Sequence, residues 1–424
     1  MHESYVIKGA FCYSRSKDEL DVVSDGYLVC EDGISKGVFE ELPEAYASYP
    51  LEDYTGCLIT PGLTDLHVHA PQYAFRGMGM DLELLEWLNT NTFPEEAKYA
   101  DLEYAKKAYA YFTEDLRKGA TTRAVVFATL HVPATELLMD MLEEAGIASY
   151  VGKVNMDRNS PDYLCETTED SAAETLRWIL DTKDRYRFVK PIITPRFTPS
   201  CTDELMKKLK DIQMEYHLPV QSHLSENLGE IDWVQELCPN TSFYGQAYDQ
   251  FGMFGGDGCP TIMAHCVHSS VEEIALMKKN GVYVVHCPEC NMNLTSGVAP
   301  VRTYLDEGVH IGLGSDVAGG TVESVLVCMA NAIRASKVRY RLLDDTLPAL
   351  TLEEAFYMGT LGGGSFFGRV GSFEAGYEMD AVVFDDSSLH TTRELTTKER
   401  LERIIYLSDD RNIVGKFVKG QKLF

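Results

Sequence analysis

Residues 261–285 read Thr-Ile-Met-Ala-His-Cys-Val-His-Ser-Ser-Val-Glu-Glu-Ile-Ala-Leu-Met-Lys-Lys-Asn-Gly-Val-Tyr-Val-Val. An apolar run over 261–264 stops at His265. Ser270, with Glu272 and Glu273 behind it, has the chemistry of a capped helix start, and apolar residues at helical period carry 271–280. A second apolar run, 282–285, follows Gly281. Strand, polar strand end, helix and strand thus succeed one another within 25 residues.

The same pattern extends in both directions. Apolar runs at 57–59, 122–127, 149–154, 188–193 and 218–221 precede this unit, and 310–313 follows it. Helical-period segments at 134–145, 171–183 and 202–216 separate several of them, and 322–338 follows the last. An open doubly wound sheet also alternates strand and helix, so the count of eight decides for a (β/α)8 TIM-like barrel. The chain ends differ. Residues 5–9 and 27–30 at one end, and 380–384 and 412–418 at the other, are short strand-like runs between turns. Neither end is large enough for a core of its own. The expectation is a small β-sandwich domain built from 1–58 and 369–424 around a barrel at 59–368.

Composition narrows the function. The 424 residues carry 38 Lys and Arg against 65 Asp and Glu, a net charge of −27. Such a surface repels phosphate backbones and anionic lipid, so no nucleic-acid polymer is expected as partner, although a small molecule is not excluded. No apolar run approaches the ~18 residues of a membrane span, and the N-terminus lacks the pattern of a signal peptide. The 11 cysteines are odd in number and scattered, unlike a secreted disulfide framework. A cytoplasmic protein is expected. Dinucleotide, P-loop and G-x-S-x-G signatures are absent.

In a barrel of this kind the active site lies at the C-terminal strand ends. Those ends carry His67 and His69, Asp157, Arg196, His223 with Glu226, His265, His286 and Asp316. His67 and His69, two apart on a strand, point to the same side. Taken singly, each has an ordinary reading: a core histidine, a solvated helix-start carboxylate or a turn aspartate. Taken together, His67, His69, His223 and Asp316 make a four-group N/O site suited to Zn2+ or Fe2+. A bound divalent metal would lower the pKa of water, with Asp316 to accept its proton. Glu226 can carry a proton to the substrate, and His265 can position the attacking oxygen. The chemistry is metal-assisted hydrolysis at a trigonal carbon. Lys190 falls near the start of its strand rather than its mouth, which favours one metal over a lysine-bridged pair. Cys287 and Cys290 form a lone C-x-x-C and read as packing residues. His268 reads as a loop residue. Trp87 reads as packing under a loop or as a wall of the pocket.

Pro61-Gly-Leu-Thr-Asp-Leu-His-Val-His69 resembles the opening signature of the amidohydrolase superfamily. His69-Ala-Pro-Gln-Tyr73, Leu84-Leu-Glu-Trp-Leu88, Thr194-Pro-Arg-Phe197, Gln221-Ser-His-Leu-Ser-Glu226 and Gly312-Leu-Gly-Ser-Asp316 narrow the likeness to the guanine deaminase family. The resemblance spans nearly the whole chain. It implies a homodimeric enzyme with one zinc per chain that turns guanine and water into xanthine and ammonia. It further implies His67, His69, His223 and Asp316 as metal ligands and Glu226, Asp316 and His265 as the catalytic groups. Gln72, Arg196 and Phe197 fall on its guanine-binding positions, beside His223, Glu226, His265 and Asp316. Cys266 departs from the pattern, which more commonly has glycine there, and leaves the substrate range open. Deamination of another purine or a pterin-like ring, opening of a cyclic amide, and a non-catalytic hydrolase-like scaffold are the competing readings.

Overall fold

The alternating runs become two parallel sheets in the computed structural model, which describes residues 4–256 and 258–424. Leu63–His69, Thr121–Phe127, Ala148–Gly152 and Val189–Pro191 pair in that order in one sheet. Val220–Leu224, Thr261–His265, Tyr283–His286 and His310–Leu313 form the other. A parallel bridge between Ile193 and Val220 connects the two. At the opposite edges, the Asp316 N–H donates to the His67 carbonyl at 2.8 Å. Helices Val132–Ala145, Thr168–Thr182, Asp203–Tyr216, Val271–Asn280 and Val325–Leu342 follow the sequence pattern closely. Ser270 and Thr202 cap theirs as expected, accepting from the Glu273 and Leu205 N–H groups.

One sequence expectation is corrected. The run 57–59 does not start the parallel array. It lies in Leu51–Pro61, which pairs with Tyr5–Ser14 and with Ala381–Phe384. The first parallel strand is Leu63–His69. The chain stays extended through both strands, so periodicity does not mark the change of sheet. Gly62 sits at the crossing, where a Cβ would fall 2.1 Å from Thr122 Oγ1. At the ends, the strands of both terminal segments join in one seven-stranded sheet. The long Leu51–Pro61 strand gives both terminal segments a common partner, and so one ladder accommodates them all.

One face of that sheet buries Ile7, Phe11, Leu28, Phe373 and Phe417 together. Residues facing the other way, including Cys12, Leu58, Val382 and Phe384, join the core that fills the parallel sheets. Arg123 and Asp380, both buried, tie the two parts with Nε–Oδ2 at 2.5 Å. Among the described residues, no helix is long and apolar enough to cross a membrane.

Candidate active site

Most of the polar strand ends converge on one cavity that opens to the surface. His67 and His69 come from the first parallel strand, His223 from Val220–Leu224, and Asp316 from the turn after His310–Leu313. His69 Nε2 lies 3.2 Å from His223 Nε2, and His67 Nε2 lies 3.1 Å from Asp316 Oδ1. Within the described residues, neither ring nitrogen of His67 and not the Nδ1 of His69 makes a hydrogen bond. Burial, reinforced by the His67 ring, holds the His69 and His223 imidazoles well below their ordinary pKa, so both keep free lone pairs. Burial pushes the Asp316 carboxyl up, but the facing His67, His265 and His69 rings outweigh it and hold the group well below the carboxylate range. Three imidazoles and one ionised carboxylate, with both His67 ring nitrogens and the His69 Nδ1 otherwise orphaned among the described residues, fit a divalent cation.

The surroundings aim these groups. The Arg196 carbonyl accepts from His223 Nδ1 at 2.6 Å, which leaves Nε2 as the lone-pair nitrogen. Asp65, fully buried, accepts from the N–H of His67 at 3.1 Å and from the N–H and Oγ of Ser315 at 3.0 and 2.5 Å. It thereby fixes the first strand to the turn that carries Asp316. Gly314 permits the approach, since a Cβ there would lie 2.8 Å from His67 Cβ. The backbone is strained at this rim: His265, Cys266 and Asp316 all have left-handed φ, at 73°, 49° and 48°. Position 266 is one that glycine would occupy without this strain.

Glu226 and His265 stand beside the ligand group. His265 Nε2 is 3.3 Å from Glu226 Oε2 and 3.7 Å from Asp316 Oδ2, and its Nδ1 meets Asn291 Oδ1 at 3.0 Å. Burial, with Asp316 opposite, raises the Glu226 carboxyl well above its ordinary range. Ser296 Oγ and Cys290 Sγ donate to its Oε1 at 3.3 and 3.9 Å. Behind it Glu230 accepts from the backbone N–H groups of Glu226 and Asn227 and from the Tyr244 hydroxyl. Burial and the neighbouring Glu226 push Glu230 up to about 7.

Gln72, Arg196 and Phe197 line the same cavity, roofed by Leu84, Trp87 and Leu88. Of its two readings, Trp87 takes the wall. Cavity and mouth together hold about 420 Å³. Glu96, which the sequence reading did not single out, lies behind this wall and is 1% exposed. Asp65, Asn291 and Glu230 were equally unmarked. The local signal for Glu230 is the capping box it forms with Asn227 at the start of the helix Leu228–Leu237.

Two strand-end residues turn away. Asp157 accepts from the Thr202 N–H and hydroxyl and from the Thr168 hydroxyl, fastening two helix starts. His286 lines a separate small cavity with Arg302 and Arg339, where burial lowers its pKa to about 3. Lys190 is exposed on its strand. Cys287 and Cys290 are both buried, and Cys290 reaches the cavity wall. His268 braces the Ser296 carbonyl at 2.7 Å.

Residues 58–423 match the amidohydrolase family. A guanine deaminase from Dictyostelium discoideum is 40% identical, with 97% of this chain and 90% of the relative aligned. One from Escherichia coli is 32% identical over 100% of this chain and 98% of its own. Among solved structures, a guanine deaminase from C. acetobutylicum with guanine bound in its active site superposes with a TM-score of 0.97. It is 49% identical and both chains are covered completely.

Proposed function

The chain belongs to the amidohydrolase family and, within it, to the guanine deaminases, and from that premise we propose how its own residues deaminate guanine at C2. One observation carries the assignment. A single cavity is lined by His69, His223 and Asp316, with the buried His67 beside them, by Glu226 and His265, and by Gln72, Arg196 and Phe197. Two sets of groups with different chemistry face one space.

The overall change adds water across C2: its oxygen becomes the new carbonyl, one proton ends on the ring nitrogen and one leaves in ammonia. A divalent cation held by His67, His69, His223 and Asp316 supplies a lowered pKa for water at the site. Glu226, raised by burial, keeps a proton taken from water and passes it to a ring nitrogen beside C2. Asp316, held ionised, accepts the second proton; His265, 3.7 Å from Asp316 Oδ2 and 3.3 Å from Glu226 Oε2, hands it to Glu226, which has given up the first, and Glu226 delivers it to the departing amine. His265, between the two carboxylates, positions the attacking oxygen. Gln72 and Arg196 address the lactam edge, and Phe197 packs on the ring face.

We take the metal as zinc, one per chain. The imidazole-rich donor set and the exposed Lys190, remote from any bridging position, support this. The two parallel sheets read as one (β/α)8 barrel within 59–368 whose first strand is Leu63–His69, with the strands before it and those of 369–424 forming the small β domain. The Ile193–Val220 bridge and the Asp316–His67 hydrogen bond support that closure. A cytoplasmic homodimer is the assembly the family resemblance implies.

The test is ammonia release from guanine by metal-quantified protein, with adenine, cytosine and 8-oxoguanine alongside. Guanine turnover well above the others, at about one metal per chain, is expected on this reading of the site. Metal bound with guanine inert would overturn the substrate assignment.

A further inference from the structure

Glu96 makes no contact with the cavity, yet it holds both groups that read the lactam edge. Its Oε2 accepts from Arg196 Nη1 at 2.6 Å, and its Oε1 accepts from Arg196 Nη2 at 3.1 Å and from Gln72 Nε2 at 3.0 Å. The pair is buried, with 1% and 3% of the Glu96 and Arg196 side chains exposed. Phe93, one turn earlier on the same short helix, lies under the guanidinium at 5.3 Å. On its other side, Gln72 Oε1 accepts from the Ala318 N–H at 3.2 Å.

These contacts remove two freedoms. The Gln72 amide cannot flip, because the flipped form would set its oxygen against the Glu96 carboxylate and its NH2 against the Ala318 N–H. Its remaining Nε2–H and its second Oε1 lone pair therefore have fixed places. The Arg196 charge is balanced by a buried carboxylate, so the guanidinium offers directional donors rather than an uncompensated cation that would favour an anionic ring. Donors from Arg196 and a donor–acceptor pair from Gln72 match a neutral lactam, which presents one C=O and one ring N–H. A ring with an amine or a bare hydrogen at that edge leaves buried groups unpaired.

We infer that Glu96 is a specificity-determining positioning residue: it holds Gln72 and Arg196 as one fixed array that selects a neutral 6-oxo purine. This rests on the reading of Gln72 and Arg196 as guanine-binding groups.

The experiment compares guanine kinetics with the Ki of 2-aminopurine, which lacks the 6-oxo group and the N1 proton, in the metal-loaded enzyme and in Glu96→Gln, Glu96→Asp and Arg196→Ala. Glu96→Gln should lower kcat/KM for guanine about 100-fold, mostly in KM, because one amide oxygen must replace two carboxylate oxygens for three donors. The Ki of 2-aminopurine should move by less than about 5-fold, since no lactam edge is there to be read. Metal content should be unchanged, and Glu96→Asp should restore part of the guanine preference. An equal loss for both ligands would reduce Glu96 to a structural residue and overturn the inference, as would unchanged guanine kinetics. If Glu96→Gln does not fold, Glu96→Asp decides: it must weaken guanine more than 2-aminopurine. Unchanged guanine kinetics in Arg196→Ala would instead overturn the underlying assignment of the guanine-binding groups.

Discussion

The backbone carbonyl of Arg196 receives the Nδ1–H of His223 at 2.6 Å, while the Arg196 side chain lines the cavity. In the proposed site one residue thus orients a candidate ligand imidazole through its main chain and addresses guanine through its side chain. The two roles separate on mutation. Arg196→Ala keeps the carbonyl, so metal per chain should hold, while kcat/KM for guanine falls about 100-fold or more. The variant also leaves Glu96 buried without its partner, a loss of about 3–5 kcal/mol. Metal analysis and kinetics on the folded fraction, with a thermal melt beside them, check this. Loss of metal in step with activity would contradict the separation.

Asp65 acts at one remove from the ligands. It accepts from the His67 N–H and from both donors of Ser315, so it sets the spacing between His67 and Asp316. Asp65→Asn retains the size but replaces one acceptor oxygen by a donor facing donors. Metal affinity should fall about 10–100-fold, as is typical when such a support is lost. Guanine KM at saturating metal should stay within a few-fold. Competition against a chelator reads the first quantity and steady-state kinetics the second. Unchanged metal affinity would assign Asp65 to strand packing alone.

The candidate ligands are legible because His223 and Asp316 stand just past apolar runs, at 218–221 and 310–313, and the two-residue spacing of His67 and His69 puts both on one side of a strand. His67, His69 and His223 stand at strand termini, and a strand end on the correct side is what local periodicity can mark. The same rule misled at Asp157 and His286, which also close runs but turn into a helix-cap clasp and a separate cavity. Which way the last residue of a strand faces is set by its neighbours in space. Glu96 escaped notice for a related reason. In Phe93-Pro-Glu-Glu it looks like a solvated helix carboxylate, and its partners lie 24 and 100 residues away. The single terminal sheet was hidden likewise, since the pairing of Val382 with Thr60 joins segments over 300 residues apart. Apolar alternation shows that strands exist at both ends but not which strand each one meets.

Glu226 is the proton carrier in the proposed reaction, and its surroundings allow a clean test. Ser296 and Cys290 donate to its Oε1, and Gln retains an oxygen for them. Glu226→Gln should therefore keep the cavity wall and the metal. It removes only the transferable proton, so kcat should fall by about 10²–10⁴ while guanine KM changes little. Stopped-time ammonia assays on metal-quantified variant decide it. A kcat within a few-fold of the parent would move the proton-carrying role elsewhere.

Glu230 gives the site a pH signature in stability rather than in rate. Burial and then the Glu226 charge push its carboxyl up to about 7 from an ordinary 4.5. In the folded chain the group still holds its proton at pH values where the unfolded chain has released it. The folded state then binds more protons, so stability is highest below about 4.5, declines as pH rises toward about 7, and is flat above that. The limiting slope for one proton is about 1.4 kcal/mol per pH unit. Glu230→Gln keeps an oxygen for the Glu226 and Asn227 N–H groups and an amide for the Tyr244 hydroxyl, but it cannot ionise. Its stability relative to the parent should therefore improve steadily across that window and then level off. Denaturation of both proteins at pH values from about 5 to 8 measures the difference directly, cancelling the titration they share. A difference that does not change with pH would mean that Glu230 is ionised in the folded chain throughout.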